Sequence, residues 1–176
     1  IGNGNVALDV ARILVKNPQD LASTEIPDNV DRSLSTSDVT AVHIFGRRGP
    51  MDVKFTPLEL RELGDLRDVD IVLDDDDFAT SADHAQDSPK SKQLAVIDRI
   101  FHSWRLREQA RASRRLHFHF WSTPLEILGQ GRVEGLRYLR RQPGKENATS
   151  GSNEPLYIDV QAIYRAVGYF GSELTS

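Results

Sequence analysis

The stretch that decides the fold is Gly2-Asn3-Gly4-Asn5-Val6-Ala7, which stands at the start of the sequence. Residues 5–16 have apolar residues at helical spacing with polar residues between them, the pattern of an amphipathic helix. Asn17-Pro18 ends this helix, because proline disfavours the helical conformation of the residue before it. Glycines directly before such a helix predict a strand-to-helix turn. We therefore expect the strand before Gly2 to be missing or truncated, and the chain to be a fragment of a longer protein.

The next two thirds of the sequence alternate between strand and helix patterns. Short apolar runs at 40–45, 69–73 and 116–121 predict buried strands. Helices are predicted between them, at 56–64 and from about 89 to 111. Alternation of this kind is typical of parallel strands joined by right-handed helical crossovers.

The helix predicted at 56–64 has a clear start signal. Thr56 is expected to be its N-cap, Pro57 its first residue, and Glu59 the second half of a capping box with Thr56. Gly64 is expected to end it.

The last third changes to a two-residue period. The runs on either side of Gly129-Gln130-Gly131 predict a β-hairpin, and a final strand is predicted at 156–167. The fold class is therefore α/β: a Rossmann-like parallel sheet with helices on both faces, followed by an antiparallel β-meander. In the 3-2-1-4 strand order of such sheets, the strand before Gly2 would lie between two neighbours. Its absence is expected to leave an apolar slot with unpaired edges.

The composition of the 176-residue chain argues against several classes of function. A net charge of −4 argues against a nucleic-acid binder. No apolar run approaches the ~18 residues of a transmembrane helix. Cysteine is absent, which excludes disulfides, thiolate metal sites and iron–sulfur ligation by these residues. Any redox chemistry would need an organic cofactor. A cysteine-free sequence without a signal peptide favours the cytoplasm.

The spacing Gly2-x-Gly4-x-x-Ala7 indicates a dinucleotide site. In such a site the first glycine allows the tight turn, the second lets the backbone approach a pyrophosphate, and the small third residue lets the helix pack on the sheet. The helix N-terminus then offers N–H groups to the phosphates. The alternative is an ordinary strand-to-helix turn without a ligand.

An arginine pair follows the strand predicted at 40–45. A site for NAD would have an acidic residue here to bind the ribose 2′-hydroxyl, whereas this sequence has Gly46-Arg47-Arg48-Gly49. Two guanidiniums are suited to a 2′-phosphate through charge-assisted hydrogen bonds. The pair therefore predicts NADP(H) rather than NAD(H), and the alternative is a solvated basic turn.

Together these motifs resemble the NADPH-binding domain of the adrenodoxin-reductase-type ferredoxin–NADP reductases. The similarity covers nearly the whole chain. The stretches that carry it are Gly2-Asn3-Gly4-Asn5-Val6-Ala7-Leu8-Asp9-Val10-Ala11-Arg12, Gly46-Arg47-Arg48-Gly49-Pro50, Phe55-Thr56-Pro57-Leu58-Glu59-Leu60-Arg61-Glu62 and Ala166-Val167-Gly168-Tyr169.

The resemblance implies an oxidoreductase of two domains, with residues 1–176 forming the NADP(H)-binding domain and FAD on a domain absent from this chain. Hydride would pass between the nicotinamide and FAD, and electrons would pass to or from a ferredoxin. Arg47 and Arg48 match the pair that binds the 2′-phosphate, and Glu59 matches a glutamate near the bound NADP. The pyrophosphate loop is matched by Gly2, Asn3, Gly4, Asn5 and Val6.

Parts of the family pattern are absent. The sequence has no FAD-binding glycine motif, and Gly129-x-Gly131 lies in a predicted hairpin rather than before a helix. The chain by itself is therefore expected to bind nucleotide without catalysing a reaction, and no catalytic residue is assigned. One alternative is a stand-alone NADP(H)-binding module. Another is a short-chain dehydrogenase, but no Tyr-x-x-x-Lys pair is present.

Four weaker signals in the sequence also have ordinary structural explanations. Asp74-Asp75-Asp76-Asp77 predicts a solvated acidic loop rather than a cation site. His117 and His119 share one side of a strand without an evident third metal ligand, so a half-exposed sheet face is favoured and no metal is assigned. The arginines at the end of the long helix suit a helix C-terminus. The candidate docking residues for an acidic ferredoxin are Arg61, Lys90 and Lys92.

Overall fold

A computed structural model describes residues 1–81, 92–141 and 154–168. The described part contains four α-helices: α1 (Asn5–Val15), α2 (Asp28–Ser35), α3 (Pro57–Gly64) and α4 (Lys92–Arg105). It contains six strands: β1 (Ala41–Phe45), β2 (Val69–Val72), β3 (Arg114–His119), β4 (Ser122–Leu128), β5 (Gly135–Arg140) and β6 (Leu156–Asp159). Short 3-10 helices cover Pro18–Leu21, Pro50–Asp52 and Asp75–Ser81.

β1, β3 and β2 form a parallel sheet in that order. The register places Val42 beside Leu116 and Ile44 beside Phe118, so apolar side chains of neighbouring strands share one face. This face carries the core. α1, α3 and α4 all contribute to the same cluster of buried side chains, which includes Leu8, Leu60 and Phe101. The predicted α/β fold class is confirmed.

A second, antiparallel sheet has the order β4-β5-β6 and is the predicted meander. The opposite face of the parallel sheet carries His43, Phe45 and His119, and Tyr138 of β5 packs edge-on against Phe45 with ring centroids 5.0 Å apart. The chain continues from β3 through a turn at Trp121 directly into β4, so the predicted meander takes the place of a further crossover helix on this face.

The strand order around β1 also differs from the expected 3-2-1-4 order. β1 and β3 pair directly over five residues, so no vacant place lies between them. Instead, Gly2 N–H donates to Phe45 O on the other edge of β1, at 3.1 Å. Ala166 N–H donates to Ile1 O at 2.7 Å, which places the segment around 164–166 on the far side of Ile1. An apolar groove of about 590 Å³ runs between β1, α1 and residues 159–166. The expected slot therefore exists, but beyond β1 rather than between β1 and β3.

Two elements end earlier than their patterns predicted. α4 stops at Arg105 rather than near Arg111, because both Asp70 carboxylate oxygens accept backbone N–H groups of the following loop, from Ala110 and Ala112 at 2.9 Å each. β6 stops at Asp159 rather than at 167, because the chain then leaves β5 and bonds to Ile1 instead. Within the described ranges, no helix has the length and apolar character needed to cross a membrane.

Candidate functional site

The turn before α1 requires glycine at its first position. Gly2 has φ +136°, a conformation that residues with a Cβ rarely adopt. A Cβ placed there would lie 2.1 Å from the carbonyl oxygen of Ala166. The segment at 164–166 and the first glycine of the motif are therefore in direct contact, and no other residue fits at this position.

The second glycine opens α1. Gly4 is the N-cap, so no side chain caps the helix, and the first turn of α1 contains no acidic residue. Among the described residues, and apart from its neighbours in the chain and the backbone of α1, Cβ of Lys54 is the one atom within 4 Å of a Cβ built on Gly4, at 3.8 Å. The N-terminus of this 11-residue helix, with the positive end of its dipole, thus lies at Gly4 without a capping side chain.

The arginine loop after β1 is held by backbone hydrogen bonds. Gly46 N–H donates to His119 O and accepts through its own carbonyl from Ser122 N–H, both at 2.9 Å. Trp121 N–H donates to Arg48 O at 3.2 Å. Both arginine side chains are exposed, and neither makes an ion pair with any residue of the described ranges. The fold therefore presents two free guanidiniums on a fixed backbone.

The glycine loop and the arginine loop lie side by side. Besides the bond from Gly2 to Phe45, the Asn3 side chain covers Gly46, where a Cβ would lie 2.7 Å from Asn3 Nδ2. Lys54 N–H donates to Asn3 O at 2.9 Å, and Lys54 forms an isolated parallel bridge with Gly4. The residues predicted from the two motifs are thus brought to one edge of the sheet. Lys54 was not predicted, and the only sequence signal for it is a cation between two apolar residues.

The start of α3 differs from the predicted capping box. α3 begins at Pro57 after the N-cap Thr56, as predicted, but Thr56 makes no side-chain capping bond. In a capping box the glutamate would accept the N-cap N–H. Here Asn5 Oδ1 accepts Thr56 N–H at 2.9 Å instead, and Glu59 Oε2 is buried with no hydrogen-bond partner among the described residues. The capping box is therefore wrong, because the glycine loop supplies its acceptor and leaves Glu59 unpaired.

The acidic run is not simply a solvated loop. Asp77 is buried, and Arg140 bridges Asp74 and Asp77 at 2.6 and 3.0 Å. Burial raises the pKa of Asp77 to about 6, an effect that Arg140 opposes. The prediction failed at Asp77 because the loop folds back under Trp121, whose Nε1 donates to Asp77 O at 3.1 Å.

The two histidines of β3 stack with a third from β1. His43 lies 4.4 Å from His117 and 5.1 Å from His119 between ring centroids, and His43 Nδ1 is 2.9 Å from His119 Nε2. Burial lowers the pKa of His43 to about 4 and that of His119 to about 3. Stacked rings do not converge on one point. Within the described part of the chain, no group of three or more His, Asp or Glu side chains is arranged to hold a metal ion.

The described candidate docking residues belong to two different helices. Arg61 is exposed on α3, and Lys92 is exposed at the start of α4. Lys90 lies outside the described residues, as does Tyr169 of the last matched stretch.

The sequence is similar to that of known reductases. The chain is 40% identical over 177 residues to the NADPH-ferredoxin reductase FprA of Mycobacterium tuberculosis, covering 97% of this chain and 38% of that protein. It is a homologue of part of the NADPH-ferredoxin reductases. It is also 29% identical to a probable mitochondrial NADPH:adrenodoxin oxidoreductase of Dictyostelium discoideum, over 98% of this chain and 37% of that protein. The resemblance stated from the motifs is thereby confirmed.

The structural comparison agrees with the sequence comparison. The fold matches the structure of M. tuberculosis FprA in complex with NADPH with a TM-score of 0.82 and 38% identity, over 97% of this chain and 38% of that chain. No protein-family model matches. The chain thus spans somewhat more than a third of the length of the reductases that it matches.

Proposed function

We propose that this chain is the NADP(H)-binding part of a ferredoxin–NADP reductase. The observation that carries the proposal is the contact between the glycine loop and the arginine loop, joined by the bond from Gly2 N–H to Phe45 O. This contact puts an open helix N-terminus and two unpaired guanidiniums on one edge of the sheet. The homology to NADPH-ferredoxin reductases supports the same assignment.

In this proposal the nucleotide is held by its two phosphate groups. Arg47 and Arg48 bind the 2′-phosphate, since they are exposed and free of ion pairs among the described residues. The pyrophosphate lies against the glycine loop at the start of α1. Glu59 lies close by and contributes its unpaired carboxylate oxygen to the nucleotide's surroundings. The loop residues proposed to contact the pyrophosphate are Gly2, Asn3, Gly4, Asn5 and Val6.

The bound nicotinamide would supply or accept a hydride, and FAD on another part of the full protein would be its partner. The described residues do not fit FAD. Gly129 and Gly131 lie in the turn between β4 and β5 and not at the start of a helix, so no helix N-terminus and no helix dipole stands there for a second pyrophosphate. The role of these residues is therefore to bind and orient the nucleotide. The proposed partner in the full protein is a ferredoxin, and the proposed compartment is the cytoplasm.

Calorimetric titration of the purified protein with NADP+ and NAD+ tests the nucleotide assignment. The expected result is a strong preference for NADP+, and the variant Arg47→Ala with Arg48→Ala is expected to lose most of it. Each charge-assisted bond to the phosphate contributes about 1.5–3 kcal/mol, so the preference should fall by at least about 100-fold. Arg132→Ala, an exposed arginine in the β4–β5 turn, is the control. Equal affinity of the unaltered protein for both nucleotides would contradict the proposal.

A second experiment tests where the flavin binds. The purified 176-residue chain is expected to show no flavin absorbance after incubation with FAD and gel filtration, and no NADPH-dependent reduction of ferricyanide above that of free FAD. A stand-alone binding module would behave in the same way here. It is distinguished by its gene, which would encode no flavin-binding segments beside this one. A yellow protein with turnover would show that these residues do seat FAD.

We also propose that Arg61 and Lys92, which are both exposed, belong to the surface that binds ferredoxin in the full protein. Arg61→Glu and Lys92→Glu in the full reductase are expected to raise the KM for an acidic ferredoxin and to make this KM less dependent on ionic strength. NADPH-dependent reduction of ferricyanide should stay unchanged. An unchanged KM for ferredoxin would remove these residues from the docking surface.

A further inference from the structure

Lys54 lies directly opposite the second glycine of the motif. Its N–H donates to Asn3 O at 2.9 Å, and its backbone forms a parallel bridge with Gly4. Its Cβ is 3.8 Å from the position that a Cβ on Gly4 would take. Any ligand group that approaches the backbone of Gly4 therefore also approaches the base of the Lys54 side chain.

The neighbours of Lys54 fix its side chain on the outside. Val53 and Phe55 are buried, with 8% and 1% of their surface exposed, whereas Lys54 is exposed. The two buried residues anchor the backbone in the core and hold the intervening side chain on the solvent side. From its Cβ, the side chain gives the ammonium a reach of about 5 Å, which brings groups bound against the backbone of Gly4 within its range.

The charge of Lys54 has no partner in the described part of the chain, where no ion pair includes it. A pyrophosphate carries two negative charges, while a helix N-terminus offers the equivalent of about half a positive charge. The arginine pair is proposed to bind a different phosphate. A further cation beside the glycine loop would therefore complement the pyrophosphate.

We propose that Lys54 binds the pyrophosphate of the nucleotide, and so sets affinity for NADP(H) and NAD(H) alike without discriminating between them. This inference rests on the proposed function. Arg47 and Arg48 would decide which nucleotide is chosen, and Lys54 would strengthen the binding of whichever is bound, since the pyrophosphate is common to both.

The test compares three ligands by calorimetry on the purified protein: NADP+, NAD+ and adenosine 2′-monophosphate, which has the 2′-phosphate but no pyrophosphate. Lys54→Ala is expected to weaken NADP+ and NAD+ by the same factor, about three- to tenfold, and to leave adenosine 2′-monophosphate unchanged. Lys54→Arg should restore most of the affinity, because it keeps the charge. Lys16→Ala is the matched control, as Lys16 follows the opposite end of the same helix α1.

The outcomes separate this inference from the proposed function. If the unaltered protein prefers NADP+ and Lys54→Ala binds both dinucleotides as before, Lys54 has no such role and the proposed function stands. If Lys54→Ala weakens adenosine 2′-monophosphate as much as NADP+, the lysine belongs to the 2′-phosphate and the inference is overturned. If the unaltered protein binds none of the three ligands, the proposed function and this inference are both wrong.

Discussion

The indole ring of Trp121 occupies the space that a side chain on Gly49 would need. A Cβ built on Gly49 lies 2.2 Å from Trp121 Cζ2, and the ring is held in place by the bond from its Nε1 to Asp77 O at 3.1 Å. The backbone bond from Trp121 N–H to Arg48 O ties the same residue to the arginine loop. Gly49 is therefore needed for close packing, and this packing fixes the backbone that carries the two arginines.

Gly49→Ala is expected to displace the arginine loop, since the added methyl group meets a ring that cannot move freely. We expect a loss of about 1–3 kcal/mol in the free energy of unfolding and about a tenfold loss in NADP+ affinity, with a smaller effect on NAD+. Urea denaturation and calorimetry measure both. Trp121→Phe replaces the two-ring indole by a single smaller ring and so makes room beside residue 49, so the double variant should recover part of the NADP+ preference. Strictly additive effects of the two substitutions would contradict the packing argument.

Asn5 is expected to separate stability from nucleotide binding. Asn5→Asp keeps an oxygen that accepts Thr56 N–H, so the free energy of unfolding should stay near that of the unaltered protein. Its carboxylate would repel a pyrophosphate at the start of α1, so NADP+ affinity should fall by at least about tenfold. Asn5→Ala loses the acceptor and should cost about 1 kcal/mol in stability. An Asn5→Asp variant that binds NADP+ normally would place the pyrophosphate elsewhere.

The histidine stack predicts loss of stability in acid. Burial holds the pKa of His43 and His119 below their ordinary value of 6.5, so the unfolded chain binds more protons than the folded chain. The contribution is full above pH 6.5 and is lost as the pH falls toward about 4 for His43 and about 3 for His119. The 2.9 Å bond between their rings also needs at least one neutral imidazole.

The check is urea denaturation between pH 7 and pH 4. Replacing both bonded rings, His43→Phe with His119→Phe, should make stability less dependent on pH, whereas His102→Phe on the exposed side of α4 should not. Arg140 and Asp74 lie near His119, and Arg115 lies near His117, so these groups must stay unchanged in the comparison. An equal acid sensitivity of the double variant would assign the effect to other groups.

The buried carboxyl group of Asp77 is expected to give stability the opposite pH dependence. Its pKa is raised from 3.8 to about 6 by burial, so its contribution to stability is present below pH 3.8 and is lost as the pH rises to about 6. Asp77→Asn removes this titration but leaves one oxygen for two donors, Arg140 and Phe120 N–H. The variant should therefore be less stable than the unaltered protein at pH 4, and the difference should shrink by pH 7. A difference that grows with pH would show that the carboxylate is stabilised by Arg140 more than it is penalised by burial.

Local patterns in the sequence were sufficient for most elements near the site. The start of α1 and the start of α3 follow from glycine, proline and helical spacing, which act within a few residues. The glycine motif and the arginine pair were likewise visible, because each is a contiguous stretch. Both helix starts, at Asn5 and at Pro57, agree with the predictions made from neighbours in the chain.

The tertiary structure decided what depends on contacts across the chain. Asn5 takes the hydrogen bond that the local pattern gave to Glu59, and Asp77 is buried because a tryptophan 44 residues away covers its loop. The strand order, the position of the groove beyond β1 and the placement of Lys54 against Gly4 arise in the same way. Charge and periodicity in a sequence specify which residues can bond or be buried. Which partner each one meets is set by the packing of distant segments, and that packing gives Lys54 its place beside the glycine loop.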